Sequence, residues 1–259
     1  MKNFFLSLFL LLSLIYCHPQ KIEKNKDEVA KSLFETFVFS LKKNDFNQYL
    51  IYIKKTSVLT GDNEILHPEE CWIECDGKRI DFAPVEIETN AEYSIPLSAC
   101  LFSVETRKNI SNGNCGSVNF VANRQNYILT LNFIPATEKF AAFPQELFLD
   151  DTTIVFVLDL VRLKPSDEEY FPTSERLRIE IRNQLGKVIW NSDYDLNFLQ
   201  VVGKVEPIEV GKLHRYIVPW NRRDNQGKLV EAGKYNVAFI LPFKPNNLIK
   251  FRNLELKAK

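Results

Sequence analysis

The feature that most restricts the fold is a two-residue alternation of apolar and polar side chains in the C-terminal part of the chain. Leu177, Ile179 and Ile181 alternate with charged residues, and comparable short runs follow one another from Thr152 onward, separated by turns. Successive side chains of a strand point to opposite faces, so this period is typical of half-buried strands. Several such strands in sequence predict an antiparallel β-sandwich, which we place at residues 148–259.

Residues 27–55 carry a different pattern, with apolar residues at steps of three and four. This spacing predicts two helices, the second of them capped by Asn44 or Asp45. The segment "SLFETFVFSLKKNDFNQYLIYIKK" resembles the opening helices of the cystatin-like cone fold, in which helices wrap a curved sheet. The apolar positions are Val29, Leu33, Phe34, Phe37, Val38 and Leu41, followed by Phe46, Tyr49, Leu50 and Ile53.

The period changes to two after a loop at residues 60–70, which indicates strands at 79–89, 96–106, 116–124 and 126–135. Together with the two helices, these strands predict a smaller α+β domain at residues 27–140. The segment "ATEKFAAFPQELFLDD" marks a change of composition and is interpreted as a linker, or alternatively as a short strand or helical turn. The whole chain is therefore expected to be mainly β, with two domains.

The N-terminus has the pattern of a targeting segment. Lys2 precedes an apolar or Ser run from Phe4 to Tyr16, which is shorter than the about 20 residues that span a bilayer. The run ends at Cys17 and resembles a bacterial lipoprotein signal, although Tyr16 stands where that signal prefers a small residue. The resemblance implies a signal peptide at 1–16, lipidation of Cys17, a tether at 17–26, and a membrane-anchored protein facing the periplasm or the cell surface. The alternative is simple cleavage and secretion.

Four further cysteines are expected to serve structure. Cys71, Cys75, Cys100 and Cys115 form an even set, which in an exported chain allows two disulfides in any of three connectivities. A metal site is not favoured, because the Cys-x3-Cys pair lacks a second pair and His67 stands alone.

The C-terminal segment resembles the intracellular proteinase inhibitor family BsuPI. The stretch "FPTSERLRIEI" is similar to that family's approach to a strand, "QLGKVIW" to its hairpin, and "WNRRDNQGKLVEAGKY" to its ending. Leu177-Arg178 departs from the family's usual aromatic residue followed by Asp. The residues that carry the resemblance are Gly186, Val188, Trp190, Phe198, Gln200, Gly211, Trp220, Asp224, Gly227, Gly233 and Tyr235.

The resemblance implies an immunoglobulin-like sandwich and a proteinase-inhibiting activity, with no reactive-site residue assigned. The family's named activity is intracellular, whereas this chain carries an export signal. Trp190, Trp220 and Tyr235 are expected to pack between the sheets rather than to face a ligand, as large aromatic residues on alternating strands commonly do.

Charge and motif content narrow the class of function. Lys plus Arg and Asp plus Glu are 33 each, so there is no basic excess for a nucleic-acid partner. No nucleophile elbow, zinc-protease motif, phosphate loop or calcium loop occurs, so neither catalysis, a cofactor nor a metal is expected. The sequence predicts an exported, lipid-anchored, non-enzymatic protein whose sandwich binds a protein partner, such as a proteinase. The alternative is a small-molecule-binding or structural envelope protein in which the sandwich is a spacer.

Overall fold

The protein is built from β-strands. The computed structural model describes residues 34–43, 46–55, 70–75, 77–81, 83–84, 98–102, 115–122, 125–134, 138–165 and 168–258, and these contain no α-helix. The prediction of a mainly β protein is confirmed. Within these ranges no helix has the length and hydropathy needed to cross a membrane.

An eight-stranded sheet contains the N-terminal strands, in the order β4-β3-β7-β8-β1-β2-β6-β5. All neighbours in it are antiparallel except β1 and β8, which run parallel. The strands are β1 (Phe34–Lys43), β2 (Phe46–Lys55), β3 (Glu70–Cys75), β4 (Lys78–Asp81), β5 (Ala83–Pro84), β6 (Ser98–Phe102), β7 (Cys115–Ala122) and β8 (Gln125–Ile134).

The prediction of two N-terminal helices is wrong, because the segments form the antiparallel pair β1 and β2. Adjacent residues Val38 and Phe39 are 1% and 0% exposed, and Ile51 and Tyr52 are each 0% exposed, so both faces of each strand are buried. A strand buried on both faces shows a continuous apolar run that also matches a helical stripe. The β-branched and aromatic content, which favours strands, decides the outcome. The proposed helix caps Asn44 and Asp45, and residues 27–33, lie outside the described residues.

Two further sheets contain most of the C-terminal strands. One has the order β15-β10-β9 and the other β13-β12-β16-β17, while β11 pairs with β14. The strands are β9 (Phe140–Phe148), β10 (Ile154–Arg162), β11 (Tyr170–Phe171), β12 (Arg178–Arg182), β13 (Val188–Asn191), β14 (Gly203–Lys204), β15 (Leu213–Trp220), β16 (Gly233–Leu241) and β17 (Leu248–Leu256).

A single apolar cluster joins the three-stranded and four-stranded sheets into a β-sandwich. Phe156 and Leu158 of β10 belong to the same buried cluster as Ile181 of β12 and Phe239 of β16. Each of these side chains is 0% exposed. The alternation seen in the sequence therefore places the apolar face of each strand in this shared core.

Strand β10 is buried over all nine of its residues, because its second face is also covered. On that face, Val161 lies in a second cluster with Phe39 and Leu50 of the eight-stranded sheet and Phe143 of β9. The segment interpreted as a linker or short strand is thus strand β9, paired with β10 along its length.

A buried polar network crosses between the eight-stranded sheet and the β15-β10-β9 sheet. The Asp159 carboxylate accepts hydrogen bonds from the Tyr52 hydroxyl at 2.5 Å and from Gln145 Nε2 at 2.8 Å, and it pairs with Arg215 Nε at 2.6 Å. Burial, together with the Asp159 charge, raises the pKa of Tyr52 well above its usual value, so the hydroxyl remains a donor. The network ties β2 to β9, β10 and β15.

Candidate functional site: an exposed apolar loop

Three of the glycines singled out in the sequence lie at turns, whereas Gly233 begins strand β16. Gly186 has a φ of 79° in the turn that joins β12 to β13, where its N–H donates to the Asn183 carbonyl. Gly211 and Gly227 have φ values of 84° and 80°. Because only glycine adopts this left-handed region without steric cost, these positions fix the connections of the sandwich.

The aromatic residues of the same set lie in or against the core. Trp220 is 2% exposed, its ring lies 6.0 Å from that of Phe156, and its indole N–H donates to the Arg223 carbonyl at 2.8 Å. Trp190 packs against the same cluster, with its ring 5.6 Å from that of Trp220. Half-buried Tyr235 also packs there, so the three aromatic residues do not form an open binding surface.

The charged stretch at 220–235 closes an edge of the sandwich. Asp224 Oδ1 accepts hydrogen bonds from the N–H groups of Gln226 and Lys228, which shapes a tight turn. The next residue, Asn225, donates its N–H to the Ile189 carbonyl and accepts the N–H of Asn191 on its side-chain oxygen. The turn therefore covers the outer edge of β13, where a bare strand edge would invite association with another chain.

Five exposed apolar residues lie close together in the sequence between β13 and β14, in residues 192–202, which we name the apolar loop. Residues 196–202, "LNFLQVV", contain no charged side chain. Solitary exposed apolar residues are common on proteins, whereas a contiguous group marks an interaction site. The exposed members are Tyr194 (49%), Leu196 (58%), Leu199 (69%), Val201 (53%) and Val202 (72%).

The backbone of the apolar loop is anchored at its centre although its side chains are exposed. Leu199 donates its N–H to Ser174 Oγ at 2.9 Å, and its carbonyl accepts the N–H of Ser174 at 2.9 Å and that of Val201 at 2.9 Å. Ser174 belongs to the "FPTSERLRIEI" stretch that precedes β12. The main chain at Leu199 is therefore held in place while the side chain points to solvent.

The first turn of the loop is fixed by hydrogen bonds and ion pairs with β12. Ser192 exchanges two hydrogen bonds with Ile179, and the Asp193 carboxylate pairs with Arg178 Nε at 2.6 Å. Arg178 also contacts the carboxylate of Glu175 at 2.8 Å. Burial raises the pKa of Glu175, an effect that Arg178 opposes. These contacts hold the loop on a rigid strand.

Phe198 and Gln200, which carry the family resemblance, flank the anchor residue Leu199. Phe198 is half-buried and Gln200 is exposed. The contact between Ser174 and Leu199 could not be predicted from the sequence, because the two residues are 25 positions apart. In the sequence, the apolar loop is recognisable as an uncharged apolar run between two predicted strands that has the period of neither a strand nor a helix.

The cysteines expected to form disulfides lie in the eight-stranded sheet. Cys71 is buried in β3, and the register places Cys75 of β3 opposite Cys115 of β7. Cys100 of β6 stands opposite Ile51 of β2. The side chains of Cys75, Cys100 and Cys115 lie outside the described residues, so the disulfides stay a prediction. Among the described residues, no three His, Cys, Asp or Glu side chains gather into a metal-binding group.

Comparison with known proteins finds only distant structural matches, with TM-scores of 0.33 or less. No protein-family model matches, and no curated protein matches. A dimeric latent PorU from Porphyromonas gingivalis matches with 11% identity and a TM-score of 0.33, over 90% of this chain and 21% of that one. This chain thus spans about a fifth of the length of PorU.

Two smaller solved structures also match. They are DUF3823 family proteins from Bacteroides ovatus and Parabacteroides merdae, with identities of 8% and 12% and TM-scores of 0.29 and 0.28. The matches cover 86% and 87% of this chain and 100% of each of the two proteins. In the part of the chain that the structure describes, the fold and site define an all-β architecture with a β-sandwich that displays an anchored apolar loop.

Proposed function

We propose that this chain is an exported, lipid-anchored binding protein whose BsuPI-like, immunoglobulin-like sandwich holds a proteinase through the apolar loop. The observation that carries the proposal is the combination at Leu199 of a main chain bonded to Ser174 and a side chain that is 69% exposed. A loop ordered before binding loses little conformational entropy when it docks, which favours affinity. The resemblance to BsuPI supports the choice of a proteinase as the partner.

The chemistry of the loop also fits such a partner. A proteinase cleft receives a stretch of backbone together with alternate side chains in separate pockets. Residues 196–202 offer Leu196, Leu199, Val201 and Val202 without an intervening charge, which suits apolar subsites. Because the N–H and carbonyl groups of Leu199 are already bonded to Ser174, we infer that its side chain, rather than its main chain, contacts the partner.

The proposal is tested with the full mature chain against a panel of serine, cysteine and metalloproteinases. We expect inhibition or saturable binding of at least one enzyme. A complete lack of effect on every class would refute the proteinase version of the proposal.

The substitution Leu199→Asp is expected to weaken that binding at least about tenfold, because a charge would have to enter an apolar pocket. Titration calorimetry or inhibition curves measure the effect. Leu185→Asp is the matched control, since Leu185 is also apolar and 92% exposed but lies in the β12–β13 turn. The control should bind like the wild type, and equal losses in the two variants would contradict the role of the loop.

Because we propose that Cys17 carries the lipid anchor, we expect Cys17→Ala to abolish partitioning of the protein into membranes. A thioether-linked lipid requires the Cys17 sulfur, and the alanine variant has no atom that can carry it. Fractionation of expressing cells, with detection of the protein in membrane and soluble fractions, measures the effect. Leu185→Asp is the control, because Leu185 is 92% exposed in the β12–β13 turn and its replacement is expected to leave partitioning unchanged. Unchanged partitioning of the Cys17 variant would refute lipidation.

A further inference from the structure

Three exposed polar side chains stand in one row across neighbouring segments near the end of β16. Tyr170 of β11 pairs with Lys204 of β14 on one side and forms an antiparallel bridge with Lys244, which follows β16, on the other. Residues directly opposite each other in antiparallel strands project from the same face. A phenol therefore lies between two ammonium groups, and we name these three residues the lysine–tyrosine row.

The main-chain hydrogen bonds fix the spacing of the row. The N–H of Tyr170 donates to the Lys244 carbonyl at 3.2 Å, and the N–H of Lys244 donates to the Tyr170 carbonyl at 2.8 Å. Tyr170 and Lys244 are thus a hydrogen-bonded pair with Cα atoms about 5.5 Å apart, whereas Tyr170 and Lys204 are a non-hydrogen-bonded pair at about 4.5 Å. The bases of the three side chains are consequently adjacent and are held by the backbone.

All three side chains of the row are open to solvent. Tyr170 is 42% exposed, and Lys204 and Lys244 are exposed as well. Within the described ranges, neither lysine forms an ion pair and the Tyr170 hydroxyl forms no hydrogen bond. The carboxylate of Glu206, two positions after Lys204, lies 3.7 Å from His214 Nε2 instead. The row therefore offers three accessible donors that no described acceptor occupies.

The acidic residues that precede the row do not cancel its charge. Glu168 and Glu169 both pair with Lys139, at 3.8 and 2.7 Å, and Glu169 also lies 3.5 Å from Arg162. Two carboxylates and two cations balance one another in this cluster. The two positive charges of the lysine–tyrosine row are consequently available to an anion from solution.

The chemistry of the row fits an oxyanion with two charges. Extended lysine and tyrosine side chains are of similar length, so two ammonium groups and the hydroxyl between them can donate to one group above the phenol. A carboxylate brings a single charge and two oxygens. A phosphate group carries about −1.5 to −2 charges at neutral pH and has three acceptor oxygens. Phosphate thus balances both lysines and gives each donor its own oxygen.

We propose that the lysine–tyrosine row binds a dianionic phosphate group, with Lys204 and Lys244 donating to two of its oxygens and the Tyr170 hydroxyl donating to the third. Inorganic phosphate and the headgroup of phosphatidic acid share this chemistry. The proposal does not rest on the apolar loop, because phosphate binding is measured on this chain alone, without a proteinase.

The test uses the mature chain with Cys17→Ala, so that no lipid anchor contributes to vesicle binding. Inorganic phosphate is titrated by calorimetry, and co-sedimentation is measured with phosphatidylcholine vesicles that contain or lack phosphatidic acid. We expect saturable binding that falls at least about tenfold in the double variant Lys204→Gln/Lys244→Gln, since charge-assisted hydrogen bonds are the strong ones. Tyr170→Phe removes one donor and should weaken binding about threefold or more.

The matched control is Lys187→Gln/Lys228→Gln, which removes the same two charges from exposed turn positions and should keep wild-type affinity. All variants should retain the wild-type thermal midpoint, because every replaced side chain is exposed. Binding of phosphate, of the phosphatidic acid vesicles or of both supports the proposal and identifies the source of the phosphate group. The proposal is overturned if neither binds, if the row variant binds like the wild type, if the control loses as much affinity, or if acetate binds as tightly as phosphate.

Discussion

Replacement of Asp159 by alanine is expected to lower the free energy of unfolding by about 3–5 kcal/mol, the cost of breaking a buried ion pair from one side. Asp159 is 0% exposed and Arg215 is 4% exposed, so the variant removes the carboxylate that pairs with a buried guanidinium. The Tyr52 hydroxyl and the Gln145 amide lose an acceptor in the same step. Urea denaturation followed by far-UV circular dichroism measures the loss.

The control for this experiment is Asp81→Ala. Asp81 pairs with Arg79 through the same atoms and at the same 2.6 Å separation, but its side chain is 68% exposed. Exposed ion pairs contribute little to the free energy of unfolding, because water solvates both charges and salt screens them. We expect almost no change in the urea midpoint, and equal effects of the two substitutions would contradict the role assigned to burial.

Trp220→Ala is expected to lower the free energy of unfolding by about 3–5 kcal/mol, the range for truncation of a large aromatic residue in a core. The residue fills the space beside Phe156 and Trp190, and the indole N–H satisfies the Arg223 carbonyl. Removal therefore creates a cavity and also leaves a carbonyl without its donor. The midpoint of urea denaturation should fall, with the slope of the transition unchanged.

Trp220→Phe separates the two contributions, because it keeps an aromatic ring but lacks the indole N–H. The decrease in the free energy of unfolding should be clearly smaller for Trp220→Phe than for Trp220→Ala. A variant with alanine at 220 that unfolds at the wild-type midpoint would show that the core described for the sandwich does not depend on this ring.

The sequence predicted the sandwich well because strands such as β12 have one dominant apolar face. Leu177, Ile179 and Ile181 alternate with charges, and the structure packs Ile179 and Ile181 into the core. The N-terminal strands could not be predicted in the same way, since β1 and β2 are buried on both faces and their apolar residues follow no period of two. The hydrophobic period of a segment therefore gave the wrong prediction where both faces of the strand are buried.

The candidate site was predicted only in part. Phe198 and Gln200 were singled out, whereas the contact that anchors the loop, between Ser174 and Leu199, joins two segments that only the fold brings together. The surroundings of Asp159 could not be predicted either, because nothing in the run "IVFVLDLVR" shows that Tyr52, Gln145 and Arg215 contact this residue. Contacts of this kind depend on tertiary packing and are not encoded in the periodicity of one segment.

The most direct measurement of the central proposal is site-specific photo-crosslinking. A photoreactive amino acid replaces Leu199 in the full chain expressed in its host, and a second chain carries it at Leu185 as the control. We expect a crosslinked product that forms from position 199, is absent from position 185, and contains a proteinase. A chain that crosslinks to no proteinase from position 199, or that gives the same product from both positions, would contradict the proposal that the apolar loop binds this partner.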